Sequence, residues 1–241
     1  MERTISRTFS LKNVRTHYCP GCGHGIAHRL VAEVVDELNI RDRVIGIAPV
    51  GCAVIAYDYW NFDCAEAAHG RALAVATAIK RVRPENIVFT YQGDGDLAAI
   101  GTNETIHAAN RGENLTVLFI NNAIYGMTGG QMAPTTLIGQ KTATTPEGRD
   151  NHQGYPLKIS EMLGILPAVK YVERTAVYSP QQIMQTKQAI KQAFINQLEN
   201  KGFSLVEILS PCPTYWGMSA QEAMEWIRDV MSKEYPLGKI K

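Results

Sequence analysis

The stretch Ile87–Ile100 reads IVFTYQGDGDLAAI, and its two halves require different backbones. Ile87–Tyr91 is a short apolar run of β-branched and aromatic residues, the pattern of a strand buried on both faces. Gly93-Asp94-Gly95-Asp96 interrupts it, and a helical pattern runs from Leu97 to Arg111. In an open parallel sheet, ligands bind at the carboxyl ends of the strands, where a helix start offers free N–H groups and a positive dipole end to an anion. An Asp between two glycines suits a hard divalent cation, because a carboxylate facing a phosphate needs a metal between them. The next apolar run, Leu115–Ile120, ends in Asn121-Asn122-Ala123-Ile124-Tyr125-Gly126, so neighbouring strand ends would bring Asp94 and Asn122 together. Either motif alone reads equally well as a polar turn. Gly93-Asp94-Gly95 followed after 25 residues by Asn121-Asn122 points to a phosphate and metal site.

Outward from this centre, strand and helix signals alternate along the chain. Further strands are expected at Val44–Pro49, Val169–Val172 and Phe203–Leu209, and helices at Gly25–Leu38, Ala65–Val82, Pro180–Asn200 and Ser219–Ser232. Pro84, Gly112 and Gly202 stand where helix stops belong. This is the rhythm of an α/β protein: a doubly wound, mostly parallel sheet, read as a single domain over residues 1–241. From about Gly126 to Ser160 the periodicity fades among Gly129-Gly130, Pro134, Gly139, Pro146, Gly148, Gly154 and Pro156. Met127, Met132, Leu137 and Ile138 mark that stretch as a packed loop over a pocket rather than a linker.

The composition excludes several classes of protein. With 24 Lys and Arg against 23 Asp and Glu, the net charge is +1, which leaves no bulk electrostatic footprint for nucleic acid or an anionic membrane. No apolar run reaches the ~20 residues of a membrane span, and MERTISRTFSLKNVR lacks the apolar core of a secretory signal, so a cytoplasmic address is expected. In that compartment five cysteines are not disulfide partners. Cys19-Pro-Gly-Cys22 alone fits a redox dithiol, half of a zinc site or half of an iron–sulfur site. Cys52 follows the first strand and Cys212 the last, so three segments offer four thiols to one sheet edge. Structural zinc favours two close pairs in a small domain without a core, and a [4Fe-4S] cluster fits this wider spread better. Cys64 reads as a buried structural thiol.

The Gly-Asp-Gly and Asn-Asn pair resembles the thiamine diphosphate fingerprint of thiamine-dependent enzymes. The resemblance implies the thiamine diphosphate-binding fold, with Mg²⁺ held by Asp94, Asn122 and the carbonyl of Ile124, and with Gly95, Asp96, Gly126 and Met127 lining the diphosphate. Taken with the cysteines, nearly the whole chain resembles the β subunit of 2-oxoacid:ferredoxin oxidoreductases. The likeness runs from Tyr18-Cys-Pro-Gly-Cys22 through Val50-Gly-Cys52, His69-Gly-Arg71 and Tyr125-Gly-Met-Thr-Gly-Gly-Gln131 to Ser210-Pro-Cys212. It implies Cys19, Cys22, Cys52 and Cys212 as ligands of the cluster, and Val50, Gly51, Cys52, Ala53 and His69 against the cofactor. Some members carry a lysine three residues after the third cysteine, where this chain has Ile55.

The implied reaction is oxidative decarboxylation of a 2-oxoacid to an acyl-CoA. The thiazolium takes up the electron pair left by CO₂, and a nearby cluster carries electrons onward to ferredoxin one at a time. Without the cluster, the same site would release an aldehyde. His69 and Arg71 are the candidate catalytic side chains, for proton traffic and for a substrate carboxylate, against readings as a helix cap and an ion pair. His24 reads as a helix-start residue, with the diphosphate as its alternative neighbour. Thiamine activation also needs a Glu on the aminopyrimidine, and the family draws it from a second domain. The resemblance therefore implies an α subunit that supplies the pyrimidine-binding domain, together with γ and ferredoxin-like δ subunits. The Val50–Tyr59 and Glu66–Arg71 stretches look most like 2-oxoisovalerate members, with 2-oxoglutarate next. The rival readings are a non-oxidative thiamine-dependent decarboxylase and a zinc-stapled scaffold subunit.

Overall fold

The computed structural model describes residues 8–241. Seven strands form one sheet: β1 (Val44–Pro49), β2 (Asp63–Ala67), β3 (Ile87–Gly93), β4 (Thr116–Asn121), β5 (Val169–Ala176), β6 (Phe203–Leu209) and β7 (Gly238–Lys239), in the order β2-β1-β3-β4-β6-β5-β7. Every neighbouring pair is parallel except β5 and β7. The helices are α1 (His24–Glu37), α2 (Ala72–Val82), α3 (Thr102–Asn110), α4 (Ile159–Gly164), α5 (Pro180–Leu198), α6 (Pro213–Trp216), α7 (Ala220–Trp226) and α8 (Ser232–Glu234).

Strand alternation sorts the core onto two faces. On β4, Leu118 and Ile120 pack with Leu30, Val34, Ile190 and Phe194 of α1 and α5, while Val117 and Phe119 pack with Leu73, Ala108 and Leu163 of α2, α3 and α4. Helices thus cover both faces of a doubly wound sheet, as the alternating signals require. The chain leaves β1 toward β2 at one edge and continues from β3 toward β4 on the other side. This reversal makes β1/β3 the topological switch point, where an open α/β sheet holds its ligand.

Several boundaries depart from the sequence expectation. The expected helix from Ala65 begins at Ala72, because Asp63–Ala67 instead pairs in parallel with Ile45–Pro49 as the edge strand β2. Gly70, at φ 75°, blocks any backward extension of α2, and a Cβ there would lie 2.6 Å from Ile100 Cγ2. The helix expected over Leu97–Arg111 is divided: a π-helical turn spans Asp96–Ile100, Gly101 N donates to Asp96 O at 2.7 Å, and α3 follows. The helix expected over Ser219–Ser232 likewise becomes α7, a π-helical turn at Ile227–Met231 and then α8. Between Gly126 and Ser160 the chain is an ordered loop with one 3₁₀ turn at Asn151–Gln153, and α4 begins at its end. Among the described residues, no helix is long and apolar enough to cross a membrane.

Candidate active site

Asp94 follows β3 directly and is almost completely buried. Its Oδ1 accepts from Gly95 N at 2.8 Å, and its Oδ2 accepts from Thr135 Oγ1 at 2.7 Å and Ile124 N at 3.2 Å. Desolvation pushes its carboxyl up to about 6 in spite of these donors. Beside it, the turn after β4 is held by Asn121, whose Nδ2 donates to Glu207 Oε1 at 2.7 Å and whose Oδ1 accepts from Ala123 N at 3.2 Å. Ala123 sits at φ 55°, and its carbonyl accepts from Thr136 Oγ1 at 2.7 Å. The next side chain, Asn122, leaves its Oδ1 buried with no protein partner. An orphaned amide oxygen, a desolvated carboxylate and a neighbouring carbonyl turn form a hard-oxygen donor set, the kind a Mg²⁺ requires.

These residues open onto one cavity that is also lined by Val50, Gly51, Cys52, Ala53, His69, Gly95, Asp96, Gly126 and Met127. The loops after β1, β3 and β4 therefore converge where the switch point predicts. Gly95 is an obligatory glycine, because a Cβ there would lie 1.9 Å from the Tyr125 ring. The Asp96 carboxylate turns away from any anion and accepts from His69 Nδ1 at 2.6 Å, Gly70 N at 2.5 Å and Gln92 Nε2 at 2.7 Å. With Nδ1 donating, the Nε2 of His69 is the nitrogen left for a ligand. Arg71 does not join this group. Its guanidinium pairs with Glu104 at 2.5 Å on the surface and is absent from the cavity wall, the ion pair that the sequence left open beside a substrate carboxylate.

Cys19, Cys22, Cys52 and Cys212 line a second cavity with Tyr18 and Tyr215. They reach it from the turn before α1, the loop after β1 and the cap of α6. Among the described residues, no three His, Cys, Asp or Glu side chains converge on a single ion position. The four cysteines line one cavity, and four thiolates are the donor set that a four-iron group would take. Burial pushes the thiols of Cys22 and Cys52 up to about 11 and that of Cys212 up to about 12, so binding a metal group there must release protons. Cys64 lies on β2, outside this cavity, and burial pushes it up to about 12.

The two cavities share a wall made of His24, Cys52, Asn122 and Gly126. A Cβ on Gly126 would lie 3.4 Å from Cys52 Sγ and 3.6 Å from Cys212 Sγ. His24 starts α1, as expected, and reaches both cavities. Thr135, Gln92 and Tyr125 were not singled out by the sequence reading. Their contributions come through side-chain bonds and packing across 30 residues or more for Thr135 and Tyr125, and through an i,i+4 contact at a strand end for Gln92. Tyr125 lies within a stretch that carries the family likeness, but no motif signals these contacts of Thr135 and Gln92.

Residues 50–208 match the family model of the thiamine pyrophosphate enzyme C-terminal TPP-binding domain. The ketoisovalerate oxidoreductase subunit VorA of Methanothermobacter thermautotrophicus is 52% identical over 223 residues, 92% of this chain and 47% of that protein. The 2-oxoglutarate synthase subunit KorB of Methanocaldococcus jannaschii is 40% identical over 201 residues, 83% of this chain and 70% of that one. Among solved structures, the 2-oxoglutarate:ferredoxin oxidoreductase from Magnetococcus marinus with 2-oxoglutarate, coenzyme A and succinyl-CoA bound superposes with a TM-score of 0.79 at 28% identity, covering 95% of this chain and 74% of that one. The chain spans about half the length of the VorA relatives it matches.

Proposed function

Because the chain belongs to the family of thiamine pyrophosphate-binding subunits of 2-oxoacid:ferredoxin oxidoreductases, we propose that it binds thiamine diphosphate, Mg²⁺ and one [4Fe-4S] cluster, and serves CoA-dependent oxidative decarboxylation of a 2-oxoacid. The observation that carries this reading is the wall common to the oxygen-lined and thiol-lined cavities, made of His24, Cys52, Asn122 and Gly126. It supports a reading in which thiamine would sit against the ligands of an electron acceptor, for which a non-oxidative decarboxylase has no use.

In this reading Asp94, Asn122 and the Ile124 carbonyl hold the Mg²⁺, and the backbone of Gly95, Asp96, Gly126 and Met127 cradles the diphosphate. Val50–Ala53 lies against the ring system, and Cys19, Cys22, Cys52 and Cys212 hold the cluster. Bound thiamine supplies the electron sink for the carbanion equivalent left by CO₂. His69, its Nδ1 tied to Asp96, presents Nε2 to the substrate or diphosphate and holds or moves a proton there.

A 2-oxoacid with an apolar side chain, of the 2-oxoisovalerate kind, is the favoured substrate. Among the described residues no Lys or Arg lines the cavity, Val50 and Met127 are exposed on its wall, and Arg71, close by in sequence to His69, is engaged by Glu104. 2-Oxoglutarate, with a second carboxylate to neutralise, is the rival. The exposed Val50 and Met127 suit cover by the α subunit that brings the activating Glu, with γ and ferredoxin-like δ subunits leading on to ferredoxin and with a cytoplasmic location.

The test is anaerobic purification of this chain with its partner chains, then steady-state assays with CoA, ferredoxin and a panel of 2-oxoacids. The expected outcome is roughly four iron and four sulfide per chain, and a higher kcat/KM for 2-oxoisovalerate than for 2-oxoglutarate. A colourless complex that releases aldehyde would establish the non-oxidative decarboxylase. One zinc and no thiamine would establish the scaffold.

A further inference from the structure

His24 is the one side chain of the shared wall whose protonation pattern is fixed by its surroundings. Its Nδ1 lies 2.7 Å from the hydroxyl of Tyr91, and both residues are buried. Tyr91 has no other hydrogen-bond partner among the described residues. If His24 Nδ1 carried the proton, the phenolic hydrogen would be buried without an acceptor, at a cost of ~1–3 kcal/mol. The phenol therefore donates, Nδ1 accepts, and Nε2 carries the hydrogen. Among the described residues that nitrogen has no partner, it is not sealed among buried atoms, and His24 lines both cavities. Tyr18 stacks on the imidazole at 4.7 Å and 10°, which prevents the ring from swinging away. Tyr18, whose ring covers the imidazole, lines the thiol cavity and not the oxygen-lined one, so the imidazole packs against the wall of the thiol cavity.

Resting on the proposed cluster site, we infer that His24 donates its Nε2–H to the sulfur-bound group in the thiol cavity, and that Tyr91 is the positioning residue that selects this tautomer. A hydrogen bond to sulfur stabilises the reduced, more negative cluster more than the oxidised one, and so raises its reduction potential. No proton or electron is transferred by His24. It sets how readily the cluster accepts the electrons delivered to it, from a position in the wall that separates the cluster from the thiamine pocket.

The experiment is an EPR-monitored redox titration of the full chain, reconstituted anaerobically with iron and sulfide, together with thiamine diphosphate affinity. His24→Leu removes the donor, His24→Gln keeps one, and Tyr91→Phe frees the tautomer without touching either cavity wall. At the wild-type midpoint potential, His24→Leu is expected to lower the reduced-to-oxidised ratio by about tenfold, or ~59 mV for a one-electron couple. Tyr91→Phe shifts it in the same direction by less, and His24→Gln stays closer to wild type than His24→Leu. Equal midpoints in all four proteins at equal iron content would overturn the inference, as would a change confined to thiamine affinity. Should His24→Leu lose its iron, Tyr91→Phe decides, and an unshifted midpoint there overturns it. A wild-type chain that takes up no cluster overturns the functional reading first and this inference with it.

Discussion

At the residue scale, Asp94 links pH to metal binding. Desolvation raises its folded carboxyl to about 6, against an ordinary value of 3.8, so the metal-free fold holds that proton more tightly than the unfolded chain does. The stability this contributes is fully present below about pH 4 and is lost as pH rises through about 6. A bound cation favours the ionised form and reverses the preference. Titration calorimetry of the metal-free chain with Mg²⁺ and thiamine diphosphate should therefore show affinity climbing up to ~tenfold per unit below pH ~6 and levelling above it. A flat profile would remove Asp94 from the ligand set. Asp94→Ala should lose Mg²⁺ and thiamine retention while iron content is unchanged, because its carboxylate lies on the oxygen-lined side only. Gly126 gives the complementary case. Gly126→Ala meets two sulfurs at ordinary contact distance, so thermal unfolding of the metal-free chain should barely change while iron and thiamine loading both fall. Loading equal to wild type would show that the loop does not approach both groups.

At the scale of elements, the loop from Gly126 to Ser160 is held by Arg149. Its buried guanidinium donates to the carbonyls of Pro134 at 2.9 Å, Thr136 at 2.5 Å, Gly154 at 2.9 Å and Tyr155 at 2.9 Å, and pairs with no carboxylate among the described residues. Thr135 lies inside this ring of carbonyls, pinned by Tyr235 Oη donating to its carbonyl at 2.7 Å, and its own hydroxyl reaches Asp94. Arg149→Ala strands several buried carbonyls and should cost roughly 3 kcal/mol in urea unfolding while weakening Mg²⁺ binding, with Arg149→Lys in between. Mg²⁺ affinity unchanged in a destabilised Arg149→Ala chain would uncouple the loop from the cation site. The glycines, prolines and apolar residues of this loop were legible in the sequence as a packed cover. The ring of carbonyls was not, because an arginine in a polar loop reads as surface charge until the fold buries it. Edge strand β2 was missed for a related reason: Asp-Cys-Ala-Glu-Ala carries helix formers, and only the free edge of β1 makes them a strand.

At the scale of the whole molecule, the sheet brings three loops and three cysteine segments to one rim, with apolar Val50 and Met127 left exposed beside the cavity. In the proposed assembly this chain alone should bind thiamine diphosphate and a cluster yet turn over no 2-oxoacid, and adding the α subunit should restore CoA-dependent activity. Turnover by the isolated chain would sink the shared-site reading. Most of the residues that line the two cavities were named from the sequence: the strand rhythm brings Asp94 and Asn122 together, and the family resemblance adds Gly126 and the set Cys19, Cys22, Cys52 and Cys212. For Arg71 the sequence left a substrate carboxylate and an ion pair both open, because a guanidinium near a motif says nothing about Glu104, which lies 33 residues further on. The sequence by itself determined the alternating fold, since periodicity encodes it, and set oxygen and sulfur side chains near the strand ends, while the second chain is what the family resemblance implies. Only the tertiary structure decided that the two donor sets share one wall and that Tyr91 governs His24. Both depend on which side chains pack together across distant strands, and burial enforces that outcome without leaving a local pattern.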